Sequence, residues 1–209
     1  VMGGIPFYLS LIDPRQSLVQ NVDRLFFSHG GIMRGEFDEL YNALFSNAEL
    51  YISVVKALAQ HHDGMTRTEI SKVIGANGGT LTRVLTNLER CDFISRSQNF
   101  GCKTKDTIYR LMDFYTLFYY KFIAQDTSGD EQWWSHNFES RLVSTWQGLT
   151  FEIVCLMHTD CIKKALGISG MATEVSSWRK VADDKQRGGQ IDLVIKRADR
   201  IVHLCEMKF

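Results

Sequence analysis

The stretch TRTEISKVIGANGGTLTRVLTNLER, residues 66–90, narrows the fold more than any other part of this 209-residue chain. Thr66 can cap a helix, and Glu69 three residues on completes a reciprocal capping pair. Ile70, Val73 and Ile74 then make one apolar side. ANGG is rich in residues that tolerate positive φ and reads as a turn. A second helix over 80–90 turns Leu81, Val84, Leu85 and Leu88 inward and leaves Thr82, Arg83, Thr86, Asn87 and Arg90 outward. A strand FISRS, a polar loop NFGCKTKD and a second strand TIYRLM follow.

Helix, turn, helix and a hairpin with a basic tip is the order of a winged helix-turn-helix. That order sets Thr82, Arg83, Thr86 and Asn87 against base edges in a major groove, with Lys103 and Lys105 on phosphates. The bland alternative is a unit that mediates protein contacts or links domains. Two arginines on the outer face are sparse for a sequence reader. Charge is segregated around this unit although the chain is neutral: residues 62–110 carry 8 Lys+Arg against 5 Asp+Glu, whereas residues 1–61 carry 4 against 6. Residues 111–145 carry 2 against 5, and residues 146–209 carry 10 against 8. The imbalance is too small to establish a nucleic-acid partner by itself.

Before this unit, GGIP reads as a tight turn into a short helix, and helical stretches follow over 17–27, 36–45 and 48–61. Val19, Val22, Leu25 and Phe26 form one stripe, and Phe37, Leu40, Tyr41 and Leu44 another. After it, DFYTLFYYKFIAQ is an unusually aromatic helix. Aromatic platforms can stack single-stranded bases, but at helical spacing they are more often core, and that reading is taken. DTSGDEQWW, from Asp126, is the linker candidate, with Trp133 and Trp134 docking on a neighbouring helix. The expected domains are a helical connector over 1–47, the winged unit with its aromatic helix over 48–125, a linker with a short helix over 126–145, and a C-terminal domain over 146–209. The class is α+β. Five cysteines without a CxxC argue against a disulfide framework and a zinc site, and fit a reducing cytoplasm. No apolar run has the length of a membrane span.

The last region poses a chemical question. A single long helix is expected over 146–166, ended by Gly167, and LTFEIVCLM within it is apolar nearly all round except for Glu152. An ionised carboxylate buried there needs a cation. EVSSW, QIDLVIK and IVHLCEMK then read as three strands. A two-residue turn at Ala198-Asp199 would pair Asp192 with Cys205; an odd loop or one bulge would set Asp192 opposite Glu206. The second register is expected. It brings Glu152, Asp192 and Glu206 together as ligands for Mg²⁺ or Mn²⁺, with Lys208 beside the metal-bound water and Gln190 assisting. The bland alternative is a buried ion network without chemistry.

The pattern D-x13-E-x-K carried by Asp192, Glu206 and Lys208, with Glu152 on a preceding helix, resembles the PD-(D/E)-x-K nuclease superfamily. GGIPFYL, NALFSN, TRTEI, YRLMDFYTLFYYKF and GLTFEIVCL together look like the C-terminal half of a prokaryotic AAA/STAND-like ATPase of the archaeal type. The resemblance covers essentially the whole chain. It implies that residues 1–61 are the lid and connector of an ATPase module. It also implies a restriction-endonuclease-like C-terminal domain and a metal-dependent phosphodiesterase acting on DNA in an ATP-driven process. The partners it implies are DNA, the ATPase module and copies of the chain itself. No G-x-x-x-x-G-K-[ST] is present, so ATP would enter only through that other module. The chain also stops one residue after Lys208, which leaves the expected sheet incomplete and open-edged. The alternative reading is a catalytically inactive DNA-binding regulator or interaction module.

Overall fold

A computed structural model describes residues 1–98, 100–101, 107–180 and 187–209. The chain divides into two compact units, one of Val1–Ser95 with Tyr109–Ser144 and the other of Arg96–Ile108 with Thr145–Phe209.

The first unit is helical around an aromatic core. Helices α1 (Pro6–Ser10), α2 (Leu18–Val22), α3 (Ile32–Leu44) and α4 (Ala48–Ala59) precede the helix-turn-helix, and α2 runs straight into a π-helical turn, Asp23–Phe27. Ser17 starts α2 with a complete capping box through Gln20. The aromatic segment becomes α7 (Phe114–Phe118) and a second π-helical turn, Tyr119–Ile123. Asp113 caps it, its carboxylate accepting from Thr116 N–H at 2.7 Å. Tyr115, Phe118 and Phe122 are buried. Phe26 meets Phe118 edge-on at 4.8 Å, and Phe37 stacks on Tyr119 at 4.1 Å. The aromatic helix is core, as its spacing suggested.

One polar group ties distant parts of this unit together. Asp23 is 6% exposed. Its carboxylate accepts from Trp134 N–H at 2.8 Å and from the Ser135 backbone N–H and hydroxyl. It thereby caps α8 (Trp133–Asn137) from 111 positions away in sequence. Trp134 is buried, and Trp133 stacks on Phe27 at 5.3 Å. A helix this short does not hold itself; the carboxylate and the two rings hold it.

The helix-turn-helix consists of α5 (Arg67–Ile74) and α6 (Gly78–Arg90). Strands β1 (Met65–Thr66), β2 (Ile94–Gln98) and β3 (Thr107–Leu111) form a sheet in the order β1-β3-β2. The expected burial of Val73 fails. It is 58% exposed, because the 3.6-residue repeat of so short a helix puts only Ile70 fully inside.

In the second unit, α9 (Arg141–Met157, its first turn lying in the first unit), α10 (Thr159–Ala165), β4 (Thr173–Lys180), β5 (Gly189–Arg197) and β6 (Val202–Cys205) follow one another. The strands form an antiparallel sheet in the order β4-β5-β6. Leu193 and Ile195 pack with Ile168 and with Leu156, Ile162 and Met171 of the helical side. Nothing in this arrangement confirms a restriction-endonuclease-like domain.

Two expectations about the helices are corrected. The single helix over 146–166 is broken at His158, where the imidazole Nδ1 bonds the Val154 carbonyl at 2.8 Å and the Thr159 hydroxyl donates to the Leu156 carbonyl at 2.7 Å. The Thr159 hydroxyl thus occupies a carbonyl that a continuing helix would use, while the Val154 carbonyl keeps its helical bond from His158 N–H at 3.1 Å as well. LTFEIVCLM is not enclosed on all sides either: Ile153 is buried, while Val154 and Met157 are 41% and 53% exposed. Gly167 does end the helical run, at φ 69°, with Gly167 and Ile168 donating back to the Lys164 and Lys163 carbonyls.

The hairpin loop is odd. Arg197 N–H donates to the Ile201 carbonyl at 2.8 Å and closes three residues, with Arg200 left-handed at φ 71°. Leu193 therefore faces Cys205 and Val194 faces Leu204, and continuing by one residue sets Asp192 opposite Glu206. A bulge lies on the other side of β5. Ser176 faces Val194 but Trp178 faces Ile191, so Ser177 stands opposite two residues, Asp192 and Leu193. Among the described residues no helix is long and apolar enough to cross a membrane, and Cys91, Cys155, Cys161 and Cys205 are free thiols.

Asp23→Ala should lower the unfolding free energy by about 2 kcal/mol, the scale of a lost set of charge-assisted hydrogen bonds. The readout is a lower urea midpoint at unchanged slope. Asp23→Asn, which keeps an acceptor, should lose less.

Candidate nucleic-acid interface

The candidate surface starts with the capping box. Thr66 Oγ1 accepts from Glu69 N–H at 3.3 Å, and Glu69 Oε2 accepts from Thr66 N–H at 2.7 Å. The Thr66 bonds hold the Glu69 carboxyl below its ordinary range. Helix α5 ends at Gly75, left-handed at φ 68°, and Gly78 opens α6 at φ 64°. An added Cβ at either glycine meets open space, so both are there for backbone conformation rather than for packing.

Asn77 makes no side-chain cap for α6. The first turn is braced from α5 instead. Arg67 Nη2 donates to the Gly78 carbonyl at 2.8 Å and to Thr82 Oγ1 at 3.1 Å, and the Thr82 hydroxyl donates to the same carbonyl at 3.1 Å. The sequence reading missed Arg67. A signal was present: a cation at the first position of a helix opposes the macrodipole, which suggests that its charge serves something else.

The inner face of α6 is as expected. Leu81, Val84, Leu85 and Leu88 are all buried, and α6 packs on α4. The outer residues divide into three groups. Arg83 and Arg90 are exposed and have no hydrogen-bond or ion-pair partner among the described residues. They stand seven residues apart, about 10 Å along the axis, close to the rise of three base-pair steps. Thr86 lies between them, half-buried. Thr82 is exposed, but its hydroxyl is occupied by Arg67 and Gly78. Asn87 is engaged within the protein. It turns toward α4, where Nδ2 donates to the Tyr51 hydroxyl at 2.8 Å, and it is half-buried. It sits at the edge of the apolar stripe, close enough for a side-chain amide to find a phenol. Lys103 and Lys105 lie outside the described residues.

The second constellation, in the C-terminal unit, comes together only in part. Asp192 and Glu206 are neighbours by register, yet their carboxylates are engaged separately. Asp192 Oδ2 accepts from Met207 N–H at 2.9 Å, and Oδ1 accepts from Gln190 Nε2 at 3.2 Å. Glu206 pairs with Lys208 at 3.2 Å, both side chains largely in solvent. Glu152 is half-buried on α9. Burial, and then the Glu152 charge, push the Cys155 thiol up. Among the described residues no three His, Cys, Asp or Glu side chains gather as a metal-holding group.

Comparison with known proteins touches the first surface. Residues 53–100, from within α4 through α5, α6 and β2, match the MarR family. The matched segment is less than half of the chain and leaves out residues 1–52 and 101–209. Among solved structures, a glycine-to-lysine mutant of S. aureus MepR is similar at 20% identity, covering 68% of this chain and 99% of that one, with a TM-score of 0.28. A superposition that loose carries no argument. No curated protein matches the chain. An ATPase module and a nuclease domain therefore have no support from these comparisons, whereas the winged helix does.

If Asn87 is a structural residue, Asn87→Ala should cost about 1 kcal/mol of stability. Combining it with Tyr51→Phe should add little, and denaturant unfolding of the double-mutant cycle reads that coupling.

Proposed function

We propose that this chain is a DNA-binding regulator whose winged helix presents α6 to the major groove. The observation that carries the proposal is the match of residues 53–100 to the MarR family, laid over an α6 whose Arg83 and Arg90 stand exposed and unpaired on one stripe. Arg83, near the N-terminal half of the helix, is the base-edge reader, since recognition helices contact bases with their early residues. Arg90, in the last turn, lies where backbone phosphates are met. Thr82 and Thr86 supply shape and methyl contacts. Arg67 keeps the first turn of α6 in place.

The test is a binding isotherm on duplex DNA across a range of salt. Arg83→Ala should weaken binding about tenfold or more, leave the melting temperature unchanged and relax sequence preference. Arg90→Ala should weaken all duplexes alike and reduce the salt slope by about one. Unchanged affinity in the Arg83→Ala, Arg90→Ala double variant would sink the reading.

A second reading has one observation behind it, the odd hairpin loop, which pairs Leu193 with Cys205 one step before Asp192 and Glu206. It makes the C-terminal unit a Mg²⁺- or Mn²⁺-dependent phosphodiesterase with Glu152, Asp192, Glu206 and Lys208 as its site. Mn²⁺ titration calorimetry decides it. A binding isotherm abolished by Asp192→Asn supports this reading, and the absence of heat in the unsubstituted protein removes it.

A further inference from the structure

Where β4 begins and β5 ends, the ladder closes on a notch that neither reading above uses. Thr173 faces Arg197 and Glu174 faces Lys196, and Ala198 N–H donates to the Ala172 carbonyl at 3.0 Å, one step beyond. These residues and Arg200 line a space of about 450 Å³, the size of a small-molecule pocket. All of them belong to the C-terminal unit. The charges around the notch do not cancel. Lys196 pairs with Glu174 at 2.9 Å, and Arg197 pairs with Asp199. Arg200 is exposed, and its guanidinium has no partner among the described residues. The Arg197 side chain is only 18% exposed, and its buried Nε has no acceptor among the described residues. Three cations against two acids leave one positive charge over. Arg200 also stands at φ 71°, the left-handed position of the three-residue loop, which glycine fills without strain. Backbone outliers of this kind concentrate at binding sites.

We propose that this notch binds a small organic monocarboxylate, with Arg200 as its anchor. A guanidinium holds a carboxylate through two parallel N–H···O bonds, a fit that an ammonium does not give. One negative charge on the ligand matches the one positive charge left over, whereas a dianion would leave the site negative. Glu174, the acid that lines the notch, is kept from repelling the carboxylate by its bond to Lys196. Ala172, Ala198 and the Thr173 methyl offer an apolar wall to the body of the ligand. The inference is independent of the DNA-binding reading.

Titration of the full chain with sodium butanoate, followed by backbone amide NMR, tests the site. Sodium chloride at equal ionic strength and butan-1-ol are the comparison arms. Butanoate should shift the amides of Thr173, Ala198 and Arg200 saturably, and neither comparison solute should. Arg200→Gly should weaken butanoate binding about tenfold or more, the scale of a lost charge-assisted pair. It should do so without lowering the melting temperature, because glycine accepts the left-handed turn. Absence of a saturable shift at these amides overturns the site. Equal shifts with sodium chloride make the effect one of ionic strength, and equal shifts with butan-1-ol make it one of apolar contact; either overturns carboxylate recognition. Undiminished butanoate binding in Arg200→Gly overturns the anchoring role and the proposal with it.

Discussion

Burial of the aromatic segment 114–123 is the constraint on which the first unit depends. Its rings are large, and several carry hydroxyls that must be satisfied when water leaves. The Tyr115 hydroxyl donates to the Met33 carbonyl at 2.8 Å, and Tyr41 and Thr116 share a hydrogen bond at 2.9 Å, all of it buried. These bonds fix α3 against α7, and Phe26 and Phe37 close the sides. Because β3 runs into α7 after only two residues, the wing returns directly into this core. The helix-turn-helix meets the same cluster through α4, which contacts both α6 and α7.

Much of this was legible from residue order. The capping box at Thr66 and Glu69, the glycine turn and the four apolar residues of α6 are local signals, and local physics decided them. The aromatic helix and the odd hairpin loop were also read correctly, the loop because an alternation of period two leaves only two registers to choose between. What escaped was non-local. Asp23 capping α8 across 111 positions leaves no periodic trace. Nor does the bond of Asn87 to Tyr51, 36 positions away, which engages an expected groove residue within the unit. Val73 was misjudged because an eight-residue helix buries a narrower stripe than its apolar content suggests.

The C-terminal acids show how far spacing carries an argument. The register pairs Leu193 with Cys205, one step before Asp192 and Glu206 of the D-x13-E-x-K pattern. What the side chains engage is a separate matter: Asp192 accepts from the Met207 amide, and Glu206 pairs with Lys208. A linear motif constrains where Cα atoms lie; the shells around the side chains determine what they hold. The break at His158 is likewise local, where the imidazole and the Thr159 hydroxyl bond carbonyls of the preceding turn.

The three-residue hairpin loop closed by Arg197 and Ile201 has a consequence for drift. Its chemistry as a turn is loosely specified: it is a solvent-facing stretch that needs one residue able to turn left-handed, supplied by Arg200. Its length is not negotiable. Loss of a single codon there would invert every position of β6 relative to β5, exposing Cys205 and Met207 and driving Glu206 and Lys208 inward. For folding alone, genes encoding this hairpin are thus free to vary in letter at residues 198–200 and bound in count.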